Sequence, residues 1–312
     1  MPQHKDESSK RNKRSSSASA PSDSQRERSR PSRQQPFDGL AIVATPIGHS
    51  RDITLRALDI LEQADTIACE DTRVTAKLLS IYGISRPLIA YHEHNAEKVR
   101  PKLIKRLKQG ETVALVSDAG TPMVSDPGYK LVRDCTEEGI PVIPIPGASS
   151  VLAALTASGL PTDRFFFAGF LAPKTAARKK ALGGLAQIPG TLVVLESARR
   201  LAGSLADMAE TLGPRPAMVA RELTKLFEEI RRGSLPDLAD HYRREGPPKG
   251  EITIVIGPPL EKIVDEAEID HLLGAALKDG SVRDAADAVT AATGLPRRKV
   301  YARALALKSG AE

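Results

Sequence analysis

The chain reads as an α/β protein of two domains, a parallel doubly wound sheet followed by a mixed sheet, with a small helical module at its C-terminal end. Three observations predict this. From Leu40 to Ile145 short apolar runs alternate with amphipathic helical spacing across short loops, the pattern of parallel strands with crossover helices. Beyond Gly159-Leu160-Pro161-Thr162 some strands follow one another with gaps of hairpin length, as between Arg221 and Phe227, which predicts antiparallel pairs. Past Pro258 the strand signal stops and Ala-rich helical stretches replace it. The expected division is a polar tail over 1–36, a first domain over 37–160, a second over 161–258 and the helical module over 259–312.

In order, Met1 to Pro36 is built of Ser, Arg, Lys, Gln and Pro with almost nothing apolar, so it cannot bury enough surface to offset the entropy of ordering and is expected to be disordered. Leu40 to Ala44 is a short strand. A helix follows from Ile53, Leu55, Leu58, Ile60 and Leu61, with Ser50 or Asp52 as candidate caps. The strand Thr66 to Cys69 runs into Glu70-Asp71-Thr72-Arg73, and the helix Val74 to Ile81 stops at Gly83. Leu88 to Tyr91 leads into His92-Glu93-His94-Asn95, then the helix Ala96 to Lys108 and the strand Thr112 to Val116. The helix Tyr129 to Glu138, the strand Val142 to Ile145 and an apolar helix entered through Ala148-Ser149-Ser150 complete the first domain. In the second domain, Phe165 to Gly169, Thr191 to Glu196, Ala217 to Arg221, Phe227 to Ile230 and Ile252 to Ile256 read as strands. Helices are expected near Ala176 to Leu185 and Leu201 to Leu212. Ile269 to Leu277, Val282 to Thr293 and Arg297 to Leu307 predict three short helices, arranged like a helix-turn-helix with Arg297, Arg298, Lys299 and Arg303 on the third.

Composition narrows the function. At 41% hydrophobic, 312 residues are enough for two real cores. No apolar run approaches the roughly 20 residues of a spanning helix, and the N-terminus has no apolar segment of the signal-peptide kind, so a cytoplasmic protein without a membrane is expected. Cys69 and Cys135 sit within strand and helix patterns without CxxC or His-rich spacing, which predicts buried thiols and no metal site. Of the formal charge of +6, the tail holds nine Lys or Arg against four Asp or Glu. The body is therefore nearly neutral.

Chemistry concentrates in Val116-Ser117-Asp118-Ala119-Gly120-Thr121-Pro122-Met123-Val124-Ser125-Asp126-Pro127-Gly128. An apolar strand empties there into two Asp, two Gly and two Pro within eleven residues. In open α/β sheets, loops at the carboxyl ends of strands hold the ligand. The glycines let backbone approach it, the prolines set the loop's shape and the acids supply charge. There is no GxGxxG after the first strand and no GxxxxGK[ST], so neither a dinucleotide fold nor a P-loop is supported.

Taken together, Val43-Ala44-Thr45-Pro46-Ile47-Gly48, Glu70-Asp71-Thr72-Arg73, Ser117-Asp118-Ala119-Gly120-Thr121-Pro122, Asp126-Pro127-Gly128 and Ala220-Arg221-Glu222-Leu223-Thr224-Lys225 resemble the bacterial small-subunit ribosomal RNA 2′-O-methyltransferases of the tetrapyrrole methylase superfamily. The resemblance spans Gly39 to Gly257 and implies a two-domain tetrapyrrole-methylase-like fold. It further implies S-adenosylmethionine as methyl donor, bound in a cleft between two α/β domains, and a homodimer as the usual assembly. The substrate it implies is a decoding-centre cytidine of the small-subunit RNA, met within the assembled subunit.

Carried over residue by residue, Asp118, Ala119, Gly120, Thr121, Pro122 and Met123 would hold the donor's methionine end, with Pro46 and Ile47 in the same pocket. Ser149, Ser150, Phe170, Leu171, Ala198, Gly250 and Thr253 would enclose the rest. Methyl transfer from a sulfonium asks chiefly for alignment of the acceptor hydroxyl and exclusion of water, with a base to take its proton. Glu70, Asp71, His92, His94 and Lys225 at strand ends are the candidates for that base, and Glu70, Asp71, Arg73 and Lys225 are the expected catalytic set. Arg73, His92, Arg221, Arg297 and Arg298 are expected to meet RNA.

Overall fold

A computed structural model describes residues 38–260 and 266–310, and the expected tail lies outside them. The chain forms two compact units. Described residues up to Thr45 with Ile53–Gly147 make the first, and Pro46–Asp52 with the residues from Ala148 onward make the second.

The first unit carries a five-stranded sheet of β1 (Gly39–Val43), β2 (Thr66–Cys69), β3 (Leu88–Ala90), β4 (Thr112–Val116) and β5 (Val142–Ile145) in the order β3-β2-β4-β1-β5. Every pairing is parallel, as the alternation of strands and helices predicts. Helices α1 (Leu55–Gln63), α2 (Thr72–Ile81), α3 (Ala96–Lys108) and α4 (Tyr129–Glu137) connect the strands. Alternation along β1 explains the two layers: Ala41 and Val43 pack with α1 and α2 residues Ala57, Leu61 and Leu79, while Leu40 and Ile42 pack with α3 and α4 residues Leu103, Leu107, Leu131 and Cys135. Thr54 caps α1 by accepting from the Ala57 N–H, in place of Ser50 or Asp52, which form a short 3₁₀ turn. Both cysteines are free and buried, as expected.

The strand order places a topological switch between β1 and β4. The chain leaves β1 for α1 on one face of the sheet and leaves β4 for α4 on the other, so the loops after these two neighbouring strands lead to opposite faces.

The second unit is mixed, as expected. Strands β6 (Phe165–Phe170), β7 (Thr191–Ser197), β8 (Pro216–Arg221), β9 (Glu229–Ser234) and β10 (Glu251–Ile256) lie in the order β6-β7-β10-β8-β9. Only β6 and β7 run parallel. Helix α5 (Ser150–Ser158), placed by its sequence with the first domain, buries Val151, Ala154 and Leu155 among Val193, Met218, Ala220 and Val255 of this sheet. An almost wholly apolar helix carries no mark of which sheet it covers.

Helices α6 (Thr175–Leu185), α7 (Leu201–Leu212) and α8 (Leu235–Glu245) cover the opposite face through Leu182, Leu205, Met208 and Leu238. Under them, Arg178 and Asp207 form a buried ion pair with Nε–Oδ2 2.8 Å and Nη2–Oδ2 2.6 Å. Helix α8 was not anticipated. Its start is nonetheless written as Ser234-Leu235-Pro236-Asp237, a capping serine with proline in the first turn and aspartate three residues on. The expected strand Phe227 to Ile230 begins two residues later and runs to Ser234, with Phe227 itself exposed.

The helical module consists of α9 (Glu266–Asp279), α10 (Val282–Thr293) and α11 (Arg297–Ser309) around Ile269, Leu273, Ala286, Val289, Val300 and Ala304. Among the described residues no helix is long and apolar enough to cross a membrane.

Candidate active site

In the first unit, the loops after β1 and β4 are sewn together at the switch. Thr45 and Gly120 exchange N–H to C=O bonds of 2.9 and 3.0 Å. The Thr45 hydroxyl donates to the Ser117 carbonyl at 3.1 Å, and the Ser117 hydroxyl to the Gly120 carbonyl at 3.2 Å. Gly120 stands at φ +79°, where a side chain is disfavoured, and Met123 and Ser125 occupy the same left-handed region at φ +70° and +69° without being glycine. Two strained residues within three positions belong to a loop whose shape is held for a purpose. Gly128, at φ +140°, has no room either: a Cβ would come within 2.9 Å of Leu115 and Met123 side-chain carbons.

This loop is tied to the end of β2. The Asp118 carboxylate accepts from the Asp71 N–H at 2.9 Å. Asp71 caps α2 through the Arg73 N–H at 2.8 Å and pairs with the Arg73 guanidinium at 2.5 Å. Arg73 holds the Asp71 carboxyl down to about 2, which makes Asp71 a poor base. The Arg73 side chain is 89% exposed, so it is available at the surface although half its valence is spent on Asp71. Glu70 differs, because burial, and then the charge of Asp118, push its carboxyl upward.

Beside these groups lies a recess of about 680 Å³ at the carboxyl ends of β2, β3 and β4, lined among others by Glu70, His92, Glu97, Arg100, Asp126 and Tyr129. Asp126 is pushed up to about 6 by burial and by the neighbouring Glu70 charge, against a bond from Ser117 that lowers it. A carboxyl raised on folding contributes its stability below its unfolded value and loses it as pH rises through 6. Asp126→Asn is therefore expected to be more stable than wild type at pH 8, by about 1 kcal/mol once partial exposure is discounted, with the gap closing toward pH 4 in denaturant titrations. Equal stability at pH 8 would rule out the strained carboxylate.

The second unit holds the other candidates. Pro46 and Ile47 are buried, and Ile47, Ser150, Ala220, Leu223, Glu251 and Thr253 line a small depression. Ser149 is the N-cap of α5, its hydroxyl accepting from the Leu152 N–H. Ala198 opens a 3₁₀ turn after β7. Phe170 is 58% exposed while Leu171 is part of the core. Between β8 and β9, Glu222 and Thr224 stand at φ +51° and +63°. Thr224 accepts from the His49 N–H at 3.1 Å. Glu222 is the hub: it accepts from Lys225 Nζ at 2.9 Å and from the Glu251 N–H at 3.0 Å. A Cβ on Gly250, at φ +100°, would sit 2.3 Å from the Glu222 Cγ.

These pairings redistribute the expected roles. Lys225 lies between Glu222 and Glu251, at 2.9 and 3.2 Å. Burial alone would lower its pKa, but the two carboxylates outweigh it and raise the ammonium above its usual value. Lys225 is thus a fixed cation and not a base. Arg221 is partly engaged, donating through Nε to Glu229 and through Nη1 to the Lys249 carbonyl, both at 3.2 Å. In the module, Arg297 is paired with Asp287 and packs over Tyr301, whereas Arg298 is exposed. His92 and His94 meet edge to face at 6.0 Å. Among the described residues no group of His, Cys, Asp and Glu is placed to hold a metal.

Sequence reasoning set Asp126 in the ligand loop as a source of charge but gave it no catalytic role, and it passed over Arg100 and Tyr129. For Asp126 a signal existed, an acid between a strained turn and Pro127-Gly128. For Arg100 and Tyr129, on amphipathic helices, there was none.

Residues 39–239 match the family model described as Tetrapyrrole (Corrin/Porphyrin) Methylases, and residues 264–308 match the RsmI C-terminal HTH domain. The Ribosomal RNA small subunit methyltransferase I of Mesorhizobium japonicum is 53% identical over 270 residues, 86% of this chain and 92% of its own. That of Erythrobacter litoralis is 50% identical over 271 residues, 87% of this chain and 96% of its own. Among solved structures, uroporphyrin-III-C-methyltransferase from Thermus thermophilus superposes with a TM-score of 0.51 at 25% identity, over 71% of this chain and 94% of its own.

Proposed function

The chain belongs to the tetrapyrrole methylase family, and from that membership we propose that it methylates small-subunit ribosomal RNA with S-adenosylmethionine, at the ribose 2′-hydroxyl of a decoding-centre cytidine. The structural observation that carries the reading is the β4 loop, pinned at the switch between β1 and β4 by the Thr45–Gly120 bonds with three left-handed residues in a row of six. A backbone held this way presents N–H and C=O groups, and the Asp118 carboxylate, to a ligand with an amino group and a positive centre. The second unit is proposed to meet the adenosine end of the donor. Ile47, Ala220 and Leu223 offer an apolar surface, and Ser150, Glu251 and Thr253 offer hydrogen-bonding groups beside it, the mixture an adenosine asks for.

The donor supplies an activated methyl on sulfur. Asp118 to Met123 orient it, with Pro46, Ile47, Ser149, Ser150, Phe170, Ala198, Gly250 and Thr253 as the further proposed donor-binding residues. Leu171, expected beside Phe170 as a donor-binding residue, is buried in the core of the second unit. Arg73 and Arg298, exposed cations, are proposed to meet RNA phosphates, and Glu222 with Lys225 to hold the β8–β9 loop in shape. A homodimer acting in the cytoplasm on the assembled small subunit completes the reading.

The test is transfer of labelled methyl to small subunits lacking the modification, followed by digestion to nucleosides. Labelled 2′-O-methylcytidine is the expected product. Label on a base, or on another nucleotide, would correct the position; subunits that stay unlabelled while the donor binds would favour a small-molecule acceptor.

A further inference from the structure

The recess of the first unit is larger than the donor-holding loop needs, and its chemistry is different. Its volume of about 680 Å³ lies within the range that encloses small organic ligands. Four carboxylates line it, Glu70, Glu93, Glu97 and Asp126. That excess of acid repels phosphate and accepts from hydroxyls and exocyclic amines, as Asp and Glu do toward the cytosine amine.

Two buried nitrogens at its wall, His92 Nδ1 and Arg100 Nη1, have no hydrogen-bond partner, although Arg100 is anchored through Nε to Asp134 at 2.7 Å. Other atoms of both residues line the recess, so the two side chains bound it without presenting these nitrogens to a ligand. Tyr129, 70% exposed, stands at the rim, an aromatic face of the kind on which unpaired bases stack. The recess shares one continuous loop with the residues proposed for the donor, Asp118–Met123 passing directly into Ser125–Gly128.

Resting on the ribosomal methylation reading, we propose that this recess receives the acceptor nucleoside and that Asp126, next to Glu70, takes the proton of its ribose hydroxyl. The ribose oxygen forms its bond to the methyl carbon with the pair it shared with hydrogen, and the proton passes to the Asp126 carboxylate. The carbon–sulfur bond of the donor breaks with its pair left on sulfur. A sulfonium and a carboxylate enter; a thioether and a carboxylic acid leave. Asp71, held ionised by Arg73, and Lys225, held as ammonium, are excluded from this step. The titratable and charged groups around Asp126 are Glu70 after β2, His92, Glu93 and His94 after β3, Asp118 after β4, Glu97 and Arg100 on α3, and Tyr129 and Lys130 on α4.

The experiment compares full-length wild type, Asp126→Asn and Glu70→Gln by donor calorimetry, small-subunit binding, single-turnover methyl transfer between pH 5 and 9, and cytidine titration watched on the His92 and His94 ring signals. Asp126→Asn is expected to keep donor and subunit binding while transfer falls about 10²–10⁴-fold. Wild-type transfer is expected to decline as pH falls through about 6. That limb disappears in Asp126→Asn and moves to lower pH in Glu70→Gln, where the neighbouring charge is gone. Cytidine is expected to shift both ring signals.

Asp126→Asn transferring within about threefold of wild type, or ring signals unmoved by cytidine, would overturn the proposal. Wild type that shifts its ring signals with cytidine yet leaves subunits unmethylated would support the recess and defeat the ribosomal reading instead.

Discussion

Gly120→Val is expected to bind S-adenosylmethionine about 100-fold more weakly than wild type by calorimetry, while its melting temperature changes little. Gly120 stands at φ +79°. A β-branched residue in that region costs about 1–3 kcal/mol, and a loop at the sheet's end relieves the strain by moving before the sheet unfolds. Moving it breaks the two backbone bonds to Thr45 and the bond from Ser117, so the whole donor-facing stretch loses its template. Gly120→Ala carries the φ penalty without the β-branch and should fall between the two. A valine variant with donor affinity within about twofold of wild type would mean that the loop does not hold the donor through its backbone.

Asp207→Ala is expected to be the most destabilising of the changes considered, by about 3–5 kcal/mol. The Arg178 guanidinium and Asp207 carboxylate are 5% and 9% exposed and bond at 2.8 and 2.6 Å. The remaining Arg178 bonds go to the Ala172 and Pro173 carbonyls and the Thr175 hydroxyl, at 3.2 to 3.4 Å. Removing the carboxylate leaves a buried cation with neutral acceptors only. Thermal unfolding should fall by roughly 10 °C, and Arg178→Met combined with Asp207→Leu should recover much of the loss by replacing the pair with apolar volume. A single variant within about 1 kcal/mol of wild type would show that solvent reaches Arg178.

The first sheet was legible because its three central strands are buried on both faces and announce themselves as nearly unbroken apolar runs. Thr66–Cys69, Thr112–Val116 and Val142–Ile145 coincide with their expected bounds. The second sheet was less so at β9, where Arg231 and Arg232 occupy strand positions at the sheet's edge while the apolar Leu226 and Phe227 are exposed, at 89% and 66%. Edge strands favour charge, which reverses the pattern a reader looks for. The donor loop was legible as a motif, since glycine, proline and acid at fixed spacing are local features. What Lys225 or Asp126 would do was not. The charge on Lys225 depends on Glu251, twenty-six positions away in the sequence, and the burial of Asp126 on how three strand ends meet. No spacing rule encodes either.

The seven residues Pro46–Asp52 belong by their packing to a unit whose other residues begin at Ala148. During translation they therefore leave the ribosome roughly a hundred residues ahead of their own structure, a wait of about 5–20 s at ordinary elongation rates. The four strands that join β1 in the first sheet are made in that interval. That sheet can close while this segment stands aside, its His49 N–H not yet supplied with the Thr224 hydroxyl it will meet. The order of synthesis thus favours the first unit folding early with a loose end, and makes completion of the second the last act. A protein cut between Gly147 and Ala148 would yield no intact second half.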